Sequence, residues 1–262
     1  MPGPESDLTL LITAAEDAGR IAAKHWKSDP KVWDKPDGEG PVTAADLEVD
    51  EMLRTTLSAA RPDYGWLSEE TPDTATRLSR RRTFIVDPID GTRAFIDGSR
   101  NFAHSLAISD QGQITAAVVY LPVKEQLFAA ALGQGATLNG TPLEASAREK
   151  EHQAAILTTK VNLAPARWPG GVPPVEPHFR SSLAYRLALV GQGRFDGMIT
   201  LRDSWEWDIA AGALIAAEAG AAVSTRTGAA LHFNNPLPQL PGILAAAPRL
   251  HHKLLARLTL TA

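Results

Sequence analysis

The sequence predicts a mixed α+β / α/β chain of two packed subdomains, 1–150 and 151–262. Three observations predict it. In the first half, helical apolar periodicity gives way to short strand-like runs joined by tight-turn signals. In the second half, strand-like and helix-like runs alternate. The change of texture falls near residue 150. With 262 residues and 44% apolar composition, the chain has enough apolar surface for two such units.

Taken in order, the first helix carries Leu8, Leu11, Ile12, Ala15, Ala22 and Trp26 at helical spacing, with Ser6 as its expected cap. Residues 27–41 interleave three prolines with glycines and aspartates around Lys35 and read as a mobile loop. A second helix runs from near Thr43 to about Ala60. The arginine-rich stretch with Arg77, Arg80, Arg81 and Arg82 reads as a solvated connector. A strand-like run, Thr83-Phe84-Ile85-Val86, follows. Ala103–Ser109 and Ile114–Tyr120 flank Asp110-Gln111-Gly112-Gln113, a hairpin signal. Gln126–Leu132 and Ala136–Leu138 read as strands, with Asn139-Gly140 as a turn. A strand at Ala155–Thr159 leads into a Pro/Gly-rich loop, Ala164–Pro177. Then come a helix (Ser181–Gly191), a strand (Gly197–Leu201) and a long helix (Asp208–Ala219). Strands at Ala221–Thr225 and Gly242–Ala246 and a closing helix from near Pro248 complete the chain.

A formal net charge of −4 argues against a general nucleic-acid-binding surface. An anionic substrate would then need a local positive element. The absence of cysteine excludes disulfides, thiolate metal sites and a cysteine nucleophile. No signal-peptide pattern and no membrane-length apolar run are present, so a soluble, cytoplasmic protein is expected. Gly133-Gln134-Gly135 and Gly191-Gln192-Gly193 lack the third glycine of a dinucleotide fingerprint. No Walker-type Gly-Lys-Ser/Thr occurs, and no histidines stand at metal-binding spacing. His104 is expected to pack or hydrogen-bond beside the supporting strand, and His251-His252 to lie on the surface.

Asp87-Pro88-Ile89-Asp90-Gly91-Thr92 follows the Thr83–Val86 run. Two carboxylates just past a strand end form a hard-oxygen claw of the kind Mg²⁺ selects. They cannot both stay buried and ionised without a cation. Gly91 and Thr92 open a helix-like segment whose backbone N–H groups suit a phosphate dianion, and Gly91 permits close backbone approach. Three further acids stand out: Asp46, Glu69 and Asp208. Each also has a local explanation. Asp46 completes a capping box with Thr43, Glu69 is a loop carboxylate, and Asp208 caps the helix after it. Together the five suit a two-metal phosphoryl transfer.

The ordered set is Asp46, then Glu69-Glu70, then Asp87–Thr92, then Trp207-Asp208-Ile209-Ala210-Ala211-Gly212. It resembles the signature of the inositol monophosphatase superfamily, lithium-sensitive, Mg²⁺-dependent phosphomonoesterases. The resemblance implies the layered αβαβα sugar-phosphatase fold, with most metal ligands in the first subdomain and Asp208 from the second. It implies that Glu69, Asp87 and the Ile89 carbonyl hold a first Mg²⁺, and Asp87, Asp90 and Asp208 a second. Thr92 paired with Asp46 would, with Glu69, activate the nucleophilic water. The Gly91 and Thr92 amides would grip the phosphate. Lys35 would approach the phosphate or a weak third metal, or else be a solvated lysine. Relatives are often homodimers; others are implicated in transcription-linked RNA processing, which offers a non-enzymatic alternative.

Arg93-Ala94-Phe95-Ile96 is similar to the 3′(2′),5′-bisphosphate nucleotidase branch, and so is Ser181-Ser182-Leu183, although Arg180 replaces the glycine usual before it. Many inositol phosphatases carry a hydroxyl-binding glutamate seven residues before the Trp-Asp motif. Here Leu201 stands there, with Arg202 after it and Glu206 nearby. A guanidinium in place of a hydroxyl acceptor suits a second phosphate better than a polyol. Hydrolysis of 3′-phosphoadenosine 5′-phosphate to AMP is therefore the leading expectation, with Ser181 and Arg202 in the substrate site beside Asp90 and Asp208. The alternatives are inositol 1-phosphate, then histidinol phosphate or fructose 1,6-bisphosphate. Trp205 and Trp207 could stack on a base, though core packing is the expected role of Trp207.

Overall fold

The computed structural model describes residues 3–28, 31–35 and 40–259. Along the chain run α1 (Pro4–His25), β1 (Val32–Asp34), β2 (Pro41–Thr43), α2 (Ala44–Ala60), β3 (Gly65–Ser68), β4 (Arg82–Asp90), α3 (Thr92–Ile96), β5 (Ala103–Asp110) and β6 (Gln113–Leu121). Then follow β7 (Gln126–Ala131), β8 (Ala136–Leu138), β9 (Thr141–Pro142), β10 (Ala155–Leu157), β11 (Glu176–His178), α4 (Leu183–Gly191), β12 (Gly197–Thr200) and β13 (Ser204–Trp205). The chain ends with α5 (Glu206–Glu218), β14 (Ala222–Ser224), β15 (Gln239–Leu240), β16 (Ile243–Ala246) and α6 (Pro248–Thr259).

Two main sheets form. One has seven strands in sequence order, β3 to β9, antiparallel except for the parallel β3–β4 pair. The other has five, in the order β11-β10-β12-β16-β14. Alternation within each strand assigns its side chains to two faces. Phe84, Val86, Leu106, Ile108 and Val118 pack against Leu11 and Ala15 of α1 and Val49 and Leu53 of α2. Ile85, Ala107, Ala117 and Val119 face the other way, onto Leu187 of α4 and Ile209 and Ile215 of α5. The same cluster continues to Met198 and Ala245 of the second sheet. That sheet's far face, Ile156, Ile199 and Leu244, meets Leu250 and Leu254 of α6. The result is five layers, helix–sheet–helix–sheet–helix. Because α5 lies between two sheets it is apolar nearly all round, from Trp207 to Ala216.

Several expectations need correction. α1 starts at Pro4, whose fixed φ suits a first helical turn, so Ser6 does not cap it. Ser6 instead accepts from Arg61 Nη2 (3.1 Å). The described residues of the 27–41 segment include a hairpin, β1 against β2; residues 29–30 and 36–39 lie outside the described residues. The 164–177 segment is not all loop, since Glu176–His178 adds an edge strand parallel to β10.

The arginine connector is not solvated as a whole. Arg77 is buried, bidentate to Asp73 (2.7 and 2.8 Å), and reaches Asn234 Oδ1 (2.7 Å) and the Asn235 carbonyl (2.8 Å). Arg82 joins Asp110 (2.8 Å), Asp7 (3.2 Å) and the Tyr64 hydroxyl (2.7 Å). His251 is also buried, with Nε2 2.9 Å from Ser224 Oγ.

Candidate active site

The site begins with a defect in β4. Asp87 pairs with Ser105 of β5, but Asp90 pairs with Ala103, so three steps along β4 match two along β5. Residues three apart on a regular strand point to opposite faces; the extra residue brings Asp87 and Asp90 to the same side. Pro88, which has no N–H to give the ladder, sits in the bulge. His104 on β5 holds it there, donating from Nδ1 to the Pro88 carbonyl (2.5 Å). Burial pushes His104 down to about 4, so its ring is neutral at physiological pH, and the carbonyl acceptor requires the proton on Nδ1.

β3 runs parallel beside β4 and delivers Glu69 at its end, with the Glu69 N–H bonded to the Val86 carbonyl (3.2 Å). Asp208 arrives on the first turn of α5. Ser105 donates to the Trp207 carbonyl (2.8 Å), and the buried Glu206 accepts from the N–H groups of Asn234 (2.6 Å) and Asn235 (2.9 Å). One carboxylate oxygen from each of Glu69, Asp87 and Asp208 then lies within 4.8 Å of the others. Asp87 Oδ1 is buried and has no hydrogen-bond partner among the described residues.

Asp90 stands beside this triad with one oxygen committed elsewhere. Its Oδ2 accepts from Ser182 Oγ (2.7 Å) and from the Ala184 N–H (2.7 Å) at the start of α4. Ser182, at φ 68, is a non-glycine residue in a sparsely populated conformation, held by these bonds. Gly91, at φ 103, makes the turn from β4 into α3; an added Cβ would lie 3.3 Å from the Asn101 carbonyl oxygen.

Thr92 donates to Asp46 Oδ1 (3.2 Å), with the Ile89 carbonyl 3.3 Å from the same hydroxyl. Asp46 is nearly inaccessible, and its Oδ2 accepts from the Thr43 N–H (2.8 Å) and Oγ1 (2.5 Å). The capping box is therefore real, and it leaves one Asp46 oxygen for Thr92.

The electrostatics are those of a site short of positive charge. Burial first, then Glu69, Asp90 and Asp208, push Asp87 well above the usual carboxylate range. Burial, then Asp90 and Glu69, do the same to Asp208. Asp46 and Asp90 are each raised to about 6, chiefly by burial, and Glu70 to about 7 by burial and Glu69. Among the described residues the ammonium in contact with these acids is that of Lys35, and it is not a solvated lysine. Its Nζ lies 2.7 Å from both Glu69 Oε1 and Glu70 Oε1. Burial opposes its charge, but Glu69 and Glu70 outweigh burial and hold it above its ordinary range.

A pH dependence follows. The raised carboxyls bind protons more tightly in the fold than in the unfolded chain. Their stability contribution is complete below about pH 4 and is lost as pH rises through 6 to 7. The metal-free protein should therefore melt at lower temperature at pH 8 than at pH 5, over any background trend. Magnesium should raise Tm at pH 8 and much less at pH 5. Differential scanning fluorimetry with EDTA or Mg²⁺ checks both; an equal magnesium shift at the two pH values would refute the charge argument.

The carboxylates open onto a cavity of about 560 Å³ whose wall includes Glu69, Asp90, Gly91, Thr92, Ser181 and Asp208. Ser182, not Ser181, bonds Asp90; Ser181 is part of the wall. Leu201 is buried in the apolar layer under the second sheet, whereas Arg202 and Thr200 line the cavity. Glu206 is held by Asn234 and Asn235 away from the cavity and supplies no hydroxyl acceptor there. Trp207 packs in the core, stacked on Trp205 with centroids 4.7 Å apart. Sequence reasoning missed Ser182 as the Asp90 partner and Arg186 in the cavity wall. A Ser at the N-cap of a helix was the available signal for the first.

Comparison with known proteins supports the same reading. A sequence model described as the inositol monophosphatase family matches residues 4–261. An inositol-1-monophosphatase of Rhizobium meliloti (strain 1021) is 35% identical over 224 residues, covering 81% of this chain and 83% of that protein. The Nus factor SuhB of Escherichia coli (strain K12) is 33% identical over 238 residues, covering 84% and 85%. Among solved structures, a Thermotoga maritima IMPase superposes with a TM-score of 0.82 at 26% identity, covering 96% of each chain.

Proposed function

This chain belongs to the inositol monophosphatase family, and we propose that it hydrolyses a small phosphate monoester, with inositol 1-phosphate as its leading substrate. One observation carries the reaction class. Three carboxylates converge within 4.8 Å at the end of a cavity, beside a threonine whose hydroxyl is aimed by a buried aspartate. The donor set fits magnesium: all ligands are oxygens, and the buried Asp87 Oδ1 has no hydrogen-bond partner among the described residues.

We assign Glu69, Asp87 and the Ile89 carbonyl to one Mg²⁺, and Asp87, Asp90 and Asp208 to a second. Bound there, the ions would supply Lewis acidity, screening phosphoryl charge and acidifying water. Lys35 would have to release Glu69 first. The protein's own part is orientation. Thr43 fixes Asp46, Asp46 accepts a hydrogen bond from the Thr92 hydroxyl, and the Thr92 oxygen then accepts one from the attacking water. Glu69 receives the proton that the water loses. The phosphate is placed against Gly91 and Thr92 at the start of α3. The water oxygen bonds to phosphorus as the ester P–O bond breaks, the leaving oxygen takes a proton from solvent water, and Glu69 returns its proton to solvent. On this reading residues 1–150 supply most of the site and 151–262 add Asp208 and the far cavity wall. Lithium inhibition and a cytoplasmic location belong to the same proposal; no described helix is long and apolar enough to cross a membrane.

The relatives named above shift the substrate order. Inositol 1-phosphate moves ahead of 3′-phosphoadenosine 5′-phosphate, the nucleotidase substrate expected from Arg93–Ile96 and Ser181–Leu183. Arg202 in the cavity keeps the second substrate in the comparison. A regulatory role resembling that named for the SuhB relative is a weaker reading, since a non-enzyme gains nothing from mutually repelling buried acids. The test is phosphate release, with kcat/KM measured side by side for both substrates. Absence of magnesium-dependent release from these two, histidinol phosphate and fructose 1,6-bisphosphate would end the enzyme reading.

Asp90→Asn should abolish turnover and leave the fold intact. The amide oxygen can still accept from Ser182 and Ala184, so the α4 cap survives while a metal charge is lost. Near-wild-type activity would refute the assignment of Asp90 to a metal.

A further inference from the structure

The helix that carries Asp46 carries a second buried acid one turn later. Asp50 of α2 is 6% exposed, and no step of the proposed reaction uses it. Its two oxygens are divided between two hydroxyls: Oδ1 accepts from Ser68 Oγ (2.5 Å) and Oδ2 from Thr71 Oγ1 (2.5 Å). Ser68 and Thr71 stand on either side of Glu69-Glu70. Resting on the phosphomonoesterase reading, we infer that Asp50 is a positioning residue for Glu69: it staples both ends of the turn that carries this carboxylate and so sets its place in the metal site.

The staple is built on both flanks. Ser68 closes β3, and its Oγ also accepts from the Glu70 N–H (3.4 Å). Thr71 Oγ1 accepts from Trp66 Nε1 (3.3 Å) while it donates to Asp50. The Glu69 N–H, bonded to the Val86 carbonyl (3.2 Å), ties the middle of the turn to β4. The turn is thus fixed to α2, β3 and β4, and the Glu69 side chain is left to meet Asp87 and Asp208. A carboxylate is a poor choice for merely joining a helix to a strand end. Burial disfavours the Asp50 charge, and the Ser68 and Thr71 hydroxyls, then Arg54, oppose that effect. α2 already adheres to the sheet through Val49, Leu53 and Leu57, and an apolar side chain of similar size at this position would add burial without desolvating a charge. What the carboxylate adds is direction, because its two acceptors hold two hydroxyls at one spacing.

α2 also supplies the register. Asp46 and Asp50 stand at i and i+4, on one face of the helix and about 6 Å apart along its axis. Asp46 aims Thr92 (3.2 Å), and Asp50 holds the Glu69 turn. On the proposed reading Thr92 and Glu69 act on the same attacking water. One helix face therefore spaces the group that orients the water from the group that takes its proton. Partners that orient a metal ligand from behind are typically worth about 10- to 100-fold in metal affinity, which sets the scale expected for Asp50.

The experiment is calorimetric titration with Mg²⁺ alone on wild-type protein, Asp50→Asn, Thr71→Val and Thr71→Ser, with Leu57→Ala as a control that loosens α2 away from the turn. Asp50→Asn keeps the shape and loses one hydroxyl acceptor; Thr71→Val keeps the shape and loses one donor. Both should raise the Mg²⁺ dissociation constant about tenfold or more, and Thr71→Ser should stay near wild type. Leu57→Ala should lower Tm and leave the constant unchanged, as substitution of a merely structural Asp50 also would. In turnover of inositol 1-phosphate, the Mg²⁺ concentration for half-maximal rate should rise in step, with substrate KM at saturating Mg²⁺ unchanged. Wild-type Mg²⁺ affinity in both Asp50→Asn and Thr71→Val, or an equal loss in Leu57→Ala, would overturn the inference. The phosphatase reading fails separately: if wild-type protein binds Mg²⁺ and releases no phosphate, the affinity comparison still decides the role of Asp50.

Discussion

Asp87→Asn is expected to remove phosphate release and, at the same time, to make the metal-free protein more heat-stable. Asp87 lies at the centre of the carboxylate group, with Oδ1 unpartnered among the described residues and with burial, then Glu69, Asp90 and Asp208, raising its pKa. Without a cation its ionised form is costly, since burial and three neighbouring carboxylates all oppose it. Asparagine keeps the shape and removes the charge. Activity should fall about a thousandfold or more, since lost metal binding forfeits roughly 4 kcal/mol of transition-state stabilisation. Near pH 8 the Tm in EDTA should rise, by about 2–4 °C for each kcal/mol gained in a chain of this length. The magnesium-induced rise in Tm should shrink. Thermal melts beside a phosphate-release assay check all three. A variant that loses stability along with activity would mean that Asp87 is a structural residue.

Thr92→Val is the second large effect. The substitution is nearly isosteric and removes only the hydroxyl that bridges the cavity to Asp46 Oδ1. Asp46 keeps both bonds from Thr43, so α2 and its cap should be unaffected. If Thr92 orients the attacking water, kcat should fall about 10²- to 10⁴-fold with little change in KM. Thr92→Ser should restore much of the loss. A rise in KM with kcat preserved would make Thr92 a phosphate-binding group instead.

The legible parts of this molecule are those encoded locally. The α2 cap follows from Thr43 and Asp46, three residues apart. The β5–β6 hairpin follows from its turn residues, and the Asp87–Thr92 run sets two carboxylates and a threonine close together. What was not legible depends on distant partners. Arg77 reads as a solvated residue until Asn234 and Asn235, about 157 positions later, close over it. Lys35 reads as exposed until β1 and β2 pair and lay it on Glu69. His251 looks like surface until Ser224 meets it. The bulge that turns Asp87 and Asp90 to one side is a property of β4–β5 register, which no run of residues states by itself. The orientations of Leu201 and Arg202, one into the core and one into the cavity, become readable only when β12 is placed in its sheet.

The most direct test of the central claim is chelation and rescue of the wild-type protein acting on inositol 1-phosphate near pH 8. The carboxylate site predicts that EDTA stops phosphate release and that excess Mg²⁺ restores it, with Asp87→Asn inactive under both conditions. Release that persists in EDTA, or that survives in Asp87→Asn, would contradict it.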